Sequence, residues 1–304
     1  MAQLVACRDS VPGSYNFWLY LPDDYCVTDE KPVLIFLHGR SLSGNNLASV
    51  RRYGCLDAIV KGRKIDAIVL APQTSNGWNP EKVMELYDWT KKHYAVDTNR
   101  LYVLGMSMGG YGTLDFAATY SDKIAAGIAL CGGSTKKDLC GLNEFPLWII
   151  HGTADEAIPV QQSQKVVDAM IQCGDTSLLR FDKMKGANHG VLARVFYLRD
   201  IYDWLFEHSR ADSVQTFGTR YKMDKECLKN AYSDFDKKPN LIVRDSKNEV
   251  DTCKSNGGPV YIVKKGDTLE SIAKKNHTTV AKLCKQNQIK KSSVLRIGQK
   301  IKLN

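Results

Sequence analysis

A glycine-framed serine, Gly105-Met106-Ser107-Met108-Gly109, lies between an apolar run, Leu101-Tyr102-Val103-Leu104, and a small-residue stretch from Gly110 to Ala118. That order predicts a strand, a sharp turn and a helix, with the serine strained at the turn. Side chains in place of the flanking glycines would collide with the strand and the helix. The pentapeptide alone arises by chance in many chains. Set between a buried strand and a helix, it marks Ser107 as a candidate nucleophile and confines the chain to α/β architectures.

A serine nucleophile needs a base and an acid to orient it, and the chain supplies both further on. Phe145 to Gly152 reads as a buried strand that runs into Thr153-Ala154-Asp155-Glu156-Ala157-Ile158-Pro159. Asp155 falls just beyond the strand's C-terminal end, where α/β sheets place site residues. It is preferred over Glu156 for its position in the turn. Ser177 to Phe181 predicts another strand, followed by Lys185-Gly186-Ala187-Asn188-His189-Gly190, a mobile glycine-flanked loop that brings His189 over Ser107. Of the six histidines, His38 and His151 sit at strand ends and read as loop-shaping, while His93 and His208 read as surface residues on helices. His189 is the candidate base.

The oxyanion of an acyl transfer is expected to meet two backbone amides. One is Met108 N–H, next after the nucleophile. The other is Arg40 N–H, in the turn-rich segment His38-Gly39-Arg40-Ser41-Leu42-Ser43-Gly44 after the strand Val33 to Leu37. The Arg40 side chain points either to solvent or to a substrate carboxylate.

Residues Tyr15 to Ser209 resemble an α/β-hydrolase of the esterase type, similar to compact feruloyl esterases and polyhydroxybutyrate depolymerase-like carboxylesterases. The residues that carry the resemblance are Leu37-His38-Gly39, Ala71-Pro72-Gln73, Gly105 to Gly110, His151 to Asp155 and Asn188-His189-Gly190. It implies a mostly parallel sheet flanked by helices and a Ser107–His189–Asp155 triad. Dienelactone hydrolases share the fold with a cysteine nucleophile, and Ser107 argues against that branch. Only Cys131 to Pro146 separate the strand Ile124–Leu130 from the next, too few for a cap domain. The site is therefore expected to be open, which suits an ester pendant on a bulky chain. Trp78 is a candidate wall of the acyl pocket, with a core or rim aromatic as the alternative.

The chain ends in a second module. Val260 to Leu269 and Leu295 to Leu303 bracket two short amphipathic helices. The first is expected to be capped by Asp267, with Glu270 three residues on. This βααβ unit resembles a LysM domain, a module that binds N-acetylglucosamine-containing glycans such as peptidoglycan and chitin. The resemblance places a glycan between Gly266, Asp267, Thr268 and Leu269 on one side and Asn287, Gln288 and Ile289 on the other; a spacer or protein-contact role is the alternative.

Charge divides the same way. Residues 1–210 carry 22 Lys+Arg against 23 Asp+Glu, and residues 211–304 carry 20 against 10. The lysines surround both helices with no aromatic stacking platform, so nucleic acid is a poor partner and an anionic surface polymer a better one, with a solvated lysine-rich face as the alternative. The expected organisation is a catalytic domain over 1–210, a polar connecting segment over 211–259 and the LysM domain over 260–304. Leu241-Ile242-Val243 predicts a short strand in the connecting segment, and Gly257-Gly258-Pro259 a hinge. Fifty structureless residues would be unusual, so part of this segment is expected to pack on one of the modules.

No apolar run reaches the roughly 18 residues of a membrane span. The N-terminus shows no signal-peptide pattern, whereas a LysM partner implies export to the periplasm or cell surface. The expectation is a native signal removed, with Met1 in its place. No C-x-x-C pair or His/Cys cluster suggests zinc, and no cofactor is implied. The nine cysteines leave the redox state open: Cys131 with Cys140 and Cys253 with Cys284 are candidate pairs, beside nine free thiols. The expected function is a serine carboxylesterase acting on short acyl or aromatic esters of a polysaccharide, tethered to wall glycan. The alternatives are a serine peptidase of the prolyl-oligopeptidase type and a glycan-binding protein with a secondary hydrolase.

Overall fold

The computed structural model describes residues 1–218, 220–245, 260–264, 266–276, 278–296 and 298–303. Its main body is a nine-stranded sheet. The strands are β1 (Gln3–Cys7), β2 (Phe17–Leu21), β3 (Lys31–Leu37), β4 (Ile68–Pro72), β5 (Val96–Met106), β6 (Ile124–Leu130), β7 (Leu147–Gly152), β8 (Leu179–Met184) and β9 (Ile242–Arg244), in the order β8-β7-β6-β5-β3-β4-β2-β1-β9. Pairing is parallel from β4 through β3, β5, β6 and β7 to β8. The strand β2 runs antiparallel to both β4 and β1, and β9 parallel to β1.

Both faces of the sheet are covered, so its central strands are apolar on both sides. Alternate residues divide between two cores. Leu34, Phe36, Tyr102 and Leu104 join Trp148, Phe196 and Trp204 on one face. Val33, Ile35, Leu37, Leu101 and Val103 join Leu114, Phe116 and Val166 on the other. This is the α/β-hydrolase architecture expected.

The strand foreseen at Ser177–Phe181 lies at Leu179–Met184. Its residues are mostly half-buried and mixed in polarity, so hydrophobic patterning locates its ends poorly. His189 does not sit in a free loop: it opens the one-turn helix His189–Leu192, capped by Asn188, whose side chain accepts the Val191 N–H at 3.1 Å. His208 is buried, with Nδ1 2.7 Å from Trp204 O and Nε2 3.0 Å from Thr216 O; it belongs to the core and not the surface.

The chain beyond residue 210 packs back on the sheet's first core through Phe217, Tyr221, Met223, Leu228 and Ala231. Trp204 donates its indole N–H to Phe217 O at 2.7 Å. Arg63, fully buried, donates to Tyr197 O and pairs with Asp234 at 2.5 Å. The short strand expected near Leu241 forms as β9. Cys253 and the Gly257–Pro259 hinge lie outside the described residues.

Cysteine pairing differs from expectation. Cys140 is bonded to Cys173 across 33 residues, Cys7 is also in a disulfide, and Cys131 and Cys284 are free thiols. Cys131 is buried beneath the sheet's C-terminal edge, whereas Cys140 meets the end of the helix Gln161–Cys173. Closing a loop of this length stabilises by about 3–4 kcal/mol through the unfolded chain's lost entropy. Replacing both Cys140 and Cys173 by Ser is expected to lower the denaturation midpoint accordingly, by several degrees or more; an unchanged melting temperature would contradict a structural role for the bond.

Residues 260–303 form a separate core of Val263, Leu269, Ile272, Ala273, Leu283, Ile301 and Leu303. A hairpin of β10 (Val260–Ile262) and β11 (Lys300–Lys302) encloses the helices Leu269–Lys275 and Val280–Asn287. The first helix is capped by Thr268 in a reciprocal box with Ser271, not by Asp267 with Glu270. The Asp267 carboxylate instead accepts from Lys264 N–H and Tyr261 Oη, each at 2.7 Å, and meets Lys275 Nζ at 3.0 Å. Those bonds, the Lys264 amide first, hold its pKa down at about 2.

Candidate active site

The strand β5 ends at Met106 and the helix Met108–Thr119 begins two residues later, leaving Ser107 to make the turn alone at φ 60°, ψ −121°. A non-glycine residue held there stores strain. The neighbouring glycines are required for close approach. A Cβ on Gly105 would strike Gly109 O, and one on Gly109 would strike Leu37 O. The elbow is fastened to the next strand by Ser107 N–H donating to Leu130 O at 2.9 Å.

Asp155 and His189 arrive from the loops after β7 and β8. Those loops are stitched together by Thr153 N–H to Met184 O and Ala154 N–H to Ala187 O, both 3.0 Å. Gly152 permits the approach, since a Cβ there would run into Ala187 O. The Asp155 side chain is wholly buried, and its Oδ2 lies 2.7 Å from His189 Nδ1. Its Oδ1 accepts from Ala157 N–H at 3.0 Å and Ile158 N–H at 2.8 Å. Three acceptor interactions fix the direction of the buried carboxylate. Glu156, next in sequence, is exposed. His151 stands on the other side of Asp155, with Nε2 at 3.6 Å, and is itself held by Ile158 O at 2.7 Å and Ser163 Oγ at 2.8 Å. Burial lowers its pKa.

The loop after β3 is positioned by His38. Thr74 N–H donates to His38 Nε2 at 3.2 Å, so the neutral ring carries its proton on Nδ1, 2.8 Å from Gly39 O. Burial depresses the ring's pKa to about 4, which keeps it neutral in ordinary buffers. Gly39 O and Arg40 N–H are opposite ends of one planar trans peptide. Anchoring the carbonyl to His38 and to Leu42 N–H (3.1 Å) therefore turns the Arg40 N–H the other way. The same glycine abuts the nucleophile: a Cβ there would stand 3.5 Å from Ser107 Cβ. Met108 N–H opens a 12-residue helix, whose first amides have no partner within the helix and carry its positive end.

Trp78 is half-buried against Gly112, edge-on to Tyr15 and His38, and its indole N–H donates to His38 O at 3.2 Å. Its visible task is to brace the His38–Gly39 segment. In the C-terminal module, Leu269 is part of the core. Asn287 clamps Lys302 through its N–H and C=O at 2.8 and 2.9 Å. Gln288 adopts a left-handed conformation at φ 51°. Gly266 and Gln288 are exposed. Cys131 is brought to the Asp155–His189 pair by the structure alone: its Sγ lies within 4.8 Å of both the Asp155 carboxylate and His189. Nothing in the sequence around it gives that signal.

The sheet, the strained serine at its elbow and the Asp–His pair at its C-terminal end make an α/β-hydrolase fold, joined to a C-terminal LysM domain. Residues 261–304 match the LysM domain model and residues 135–212 that of the prolyl oligopeptidase family. Acetylxylan esterase A of Emericella nidulans is 41% identical over 133 residues, 40% of this chain and 43% of that protein. The bifunctional acetylxylan esterase/xylanase XynS20E of Neocallimastix patriciarum is 28% identical over 153 residues, 47% of this chain and 22% of that one. The chain thus spans less than half the length of these relatives. A thermostable esterase of known structure superposes with a TM-score of 0.52 at 25% identity, covering 64% of this chain and 59% of its own. A ferulic acid esterase shares the fold, with a TM-score of 0.50 at 16% identity over 68% of this chain and 97% of its own. Among the described residues no helix is long and apolar enough to cross a membrane.

Proposed function

We propose that this chain is a serine carboxylesterase that removes short acyl or aromatic groups, of the acetyl or feruloyl kind, from a polysaccharide. The observation that carries the reading is the His189 ring bonded to the buried Asp155 at the same sheet end as the strained Ser107, in a chain 41% identical over 133 residues to an acetylxylan esterase. With Nδ1 committed to Asp155, His189 Nε2 is the nitrogen left to take the Ser107 proton as Oγ attacks the ester carbonyl. The charge that develops on the carbonyl oxygen meets Met108 N–H and Arg40 N–H, each such donor being worth about 10² to 10³ in rate. The tetrahedral adduct collapses, the alcohol leaves with the proton from His189, and an acyl-serine remains. Water then attacks the acyl carbon and gives its proton to His189, which passes it to Ser107 Oγ as the acyl–oxygen bond breaks and the acid leaves. Trp78 bounds the acyl side of the cleft while bracing the oxyanion loop.

Residues 260–304 are assigned to holding N-acetylglucosamine-containing glycan, peptidoglycan or chitin, and residues 1–210 to catalysis, with 211–259 between them. Disulfides at Cys140–Cys173 and at Cys7 favour an oxidising compartment, hence an exported protein.

A small ester panel tests the activity: p-nitrophenyl acetate, butyrate and a long-chain ester, with methyl ferulate and acetylated xylan. Turnover of acetate or ferulate with little of the long chain is expected. The prolyl oligopeptidase match over residues 135–212 supports a second reading, a serine peptidase. Hydrolysis of a peptide amide with no ester preference would favour it. Deleting residues 260–304 is expected to abolish retention on insoluble peptidoglycan or chitin and leave small-ester turnover within about twofold, because the module's core shares no residue with the two cores of the main sheet. Unchanged retention would refute glycan binding by this module.

A further inference from the structure

We propose that Cys131 is a positioning residue whose thiol donates a hydrogen bond to the Asp155 carboxylate and so sets the orientation of the acid that holds His189. The inference rests on the Ser107–Asp155–His189 reading given above. Cys131 follows directly on β6, between the strand that delivers the nucleophile and the strand that delivers the acid. Its N–H donates to Ile150 O on β7 at 2.9 Å, and the preceding carbonyl, Leu130 O, receives the Ser107 N–H. One dipeptide therefore ties the two halves of the site together. Cys131 is fully buried, and its backbone sits at φ 40°, a left-handed conformation that disfavours any residue with a side chain. A glycine would relieve that strain and lose the thiol.

The sulfur lies within 4.8 Å of the Asp155 carboxylate and of His189. Burial, followed by the Asp155 charge, pushes the thiol well above the ordinary cysteine range. The group stays S–H at working pH and is a donor, not a competing nucleophile. It is not free for a disulfide either. Among the described residues, the groups that face Asp155 include Cys131 from the end of β6, His151 from β7, His189 from its helix, and the amides of Ala157 and Ile158.

A donor on the carboxylate withdraws part of its charge from the imidazole. Removing it leaves more of that charge to stabilise His189 in its protonated form, so the ring's pKa rises. The test follows the His189 ring by NMR titration in the intact chain without substrate, which reads the contact whether or not any ester is turned over. Cys131→Ala is expected to raise the titration midpoint by about 0.5 in pH. In the ester assay it should lower kcat about tenfold at unchanged KM, as fits a hydrogen bond to a charged group from a weak donor. Cys131→Ser places a stronger donor at the same point, and its midpoint is expected to fall to or below that of the wild type with kcat restored. A midpoint unmoved in Cys131→Ala, or Ala and Ser variants that behave alike, would overturn the proposal. If the alanine variant does not fold, a raised midpoint in the serine variant overturns it as well. Failure of every ester with the midpoint shifts intact would instead sink the esterase reading and leave the contact standing.

Discussion

Ser107→Ala is expected to abolish ester hydrolysis, with a loss of about 10⁶ in kcat, while the melting temperature stays within a few degrees of wild type. The loss is large because the remaining groups have nothing to activate. The proposed oxyanion donors, Met108 N–H and Arg40 N–H, would still polarise a bound carbonyl, and that leaves only a residual rate over water. The fold should persist because the elbow is held by its backbone: Ser107 N–H is bonded to Leu130 O, and Ser107 O receives Tyr111 N–H at 3.0 Å. Alanine keeps both bonds and carries the same strain at φ 60°. Activity retained in a correctly folded Ser107→Ala would remove Ser107 from the mechanism.

The second large effect concerns the acid. Asp155→Asn should cost about 10⁴ in kcat. The amide is nearly isosteric, but it can turn an NH₂ toward His189 Nδ1 and so enforce the wrong tautomer. It would also present a donor or a neutral oxygen to Ala157 and Ile158 N–H, which now bind an anion at 3.0 and 2.8 Å. Glu156→Gln, one residue away and exposed, should change kcat by less than about twofold. Comparing kcat for the two variants on one ester settles the assignment. Greater damage from Glu156→Gln would overturn it.

Much of this was legible in the sequence because it is local. The elbow declares itself through Gly105 and Gly109, which face backbone carbonyls from either side. Strands such as Val33–Leu37 and Ile124–Leu130 read as unbroken apolar runs because parallel sheets are covered on both faces. The order of Ser107, Asp155 and His189 along the chain follows from where those strands end. What escaped depends on tertiary packing. Cys140 finds Cys173 only when the helix Gln161–Cys173 lies beside the loop before β7, and no spacing encodes that. Asp267 and Thr268 are both good caps, and the choice fell to Thr268 because the aspartate is taken by Lys264 and Tyr261. Cys131 looks like a disulfide half until the ends of β6 and β7 bring it against Asp155. His208 shares a histidine's usual surface profile, and only the return of the chain at Thr216 buries it.

That return has a consequence for what counts as the smallest folded enzyme. Strand β9 lies along the outer side of β1 for three residues, Gln3–Val5 against Ile242–Arg244, and Arg8 extends the seam to Asp245 at 2.7 Å. A chain cut at residue 210 would bare the β1 edge, with its unpaired amides and carbonyls open to a neighbouring molecule. It would also uncover the side of Trp204 and Trp148 now shielded by Phe217. The thirty-odd residues that carry no part of the proposed chemistry are thus the hydrolase's own guard against edge-to-edge aggregation, made from the very chain that leads to its C-terminal module.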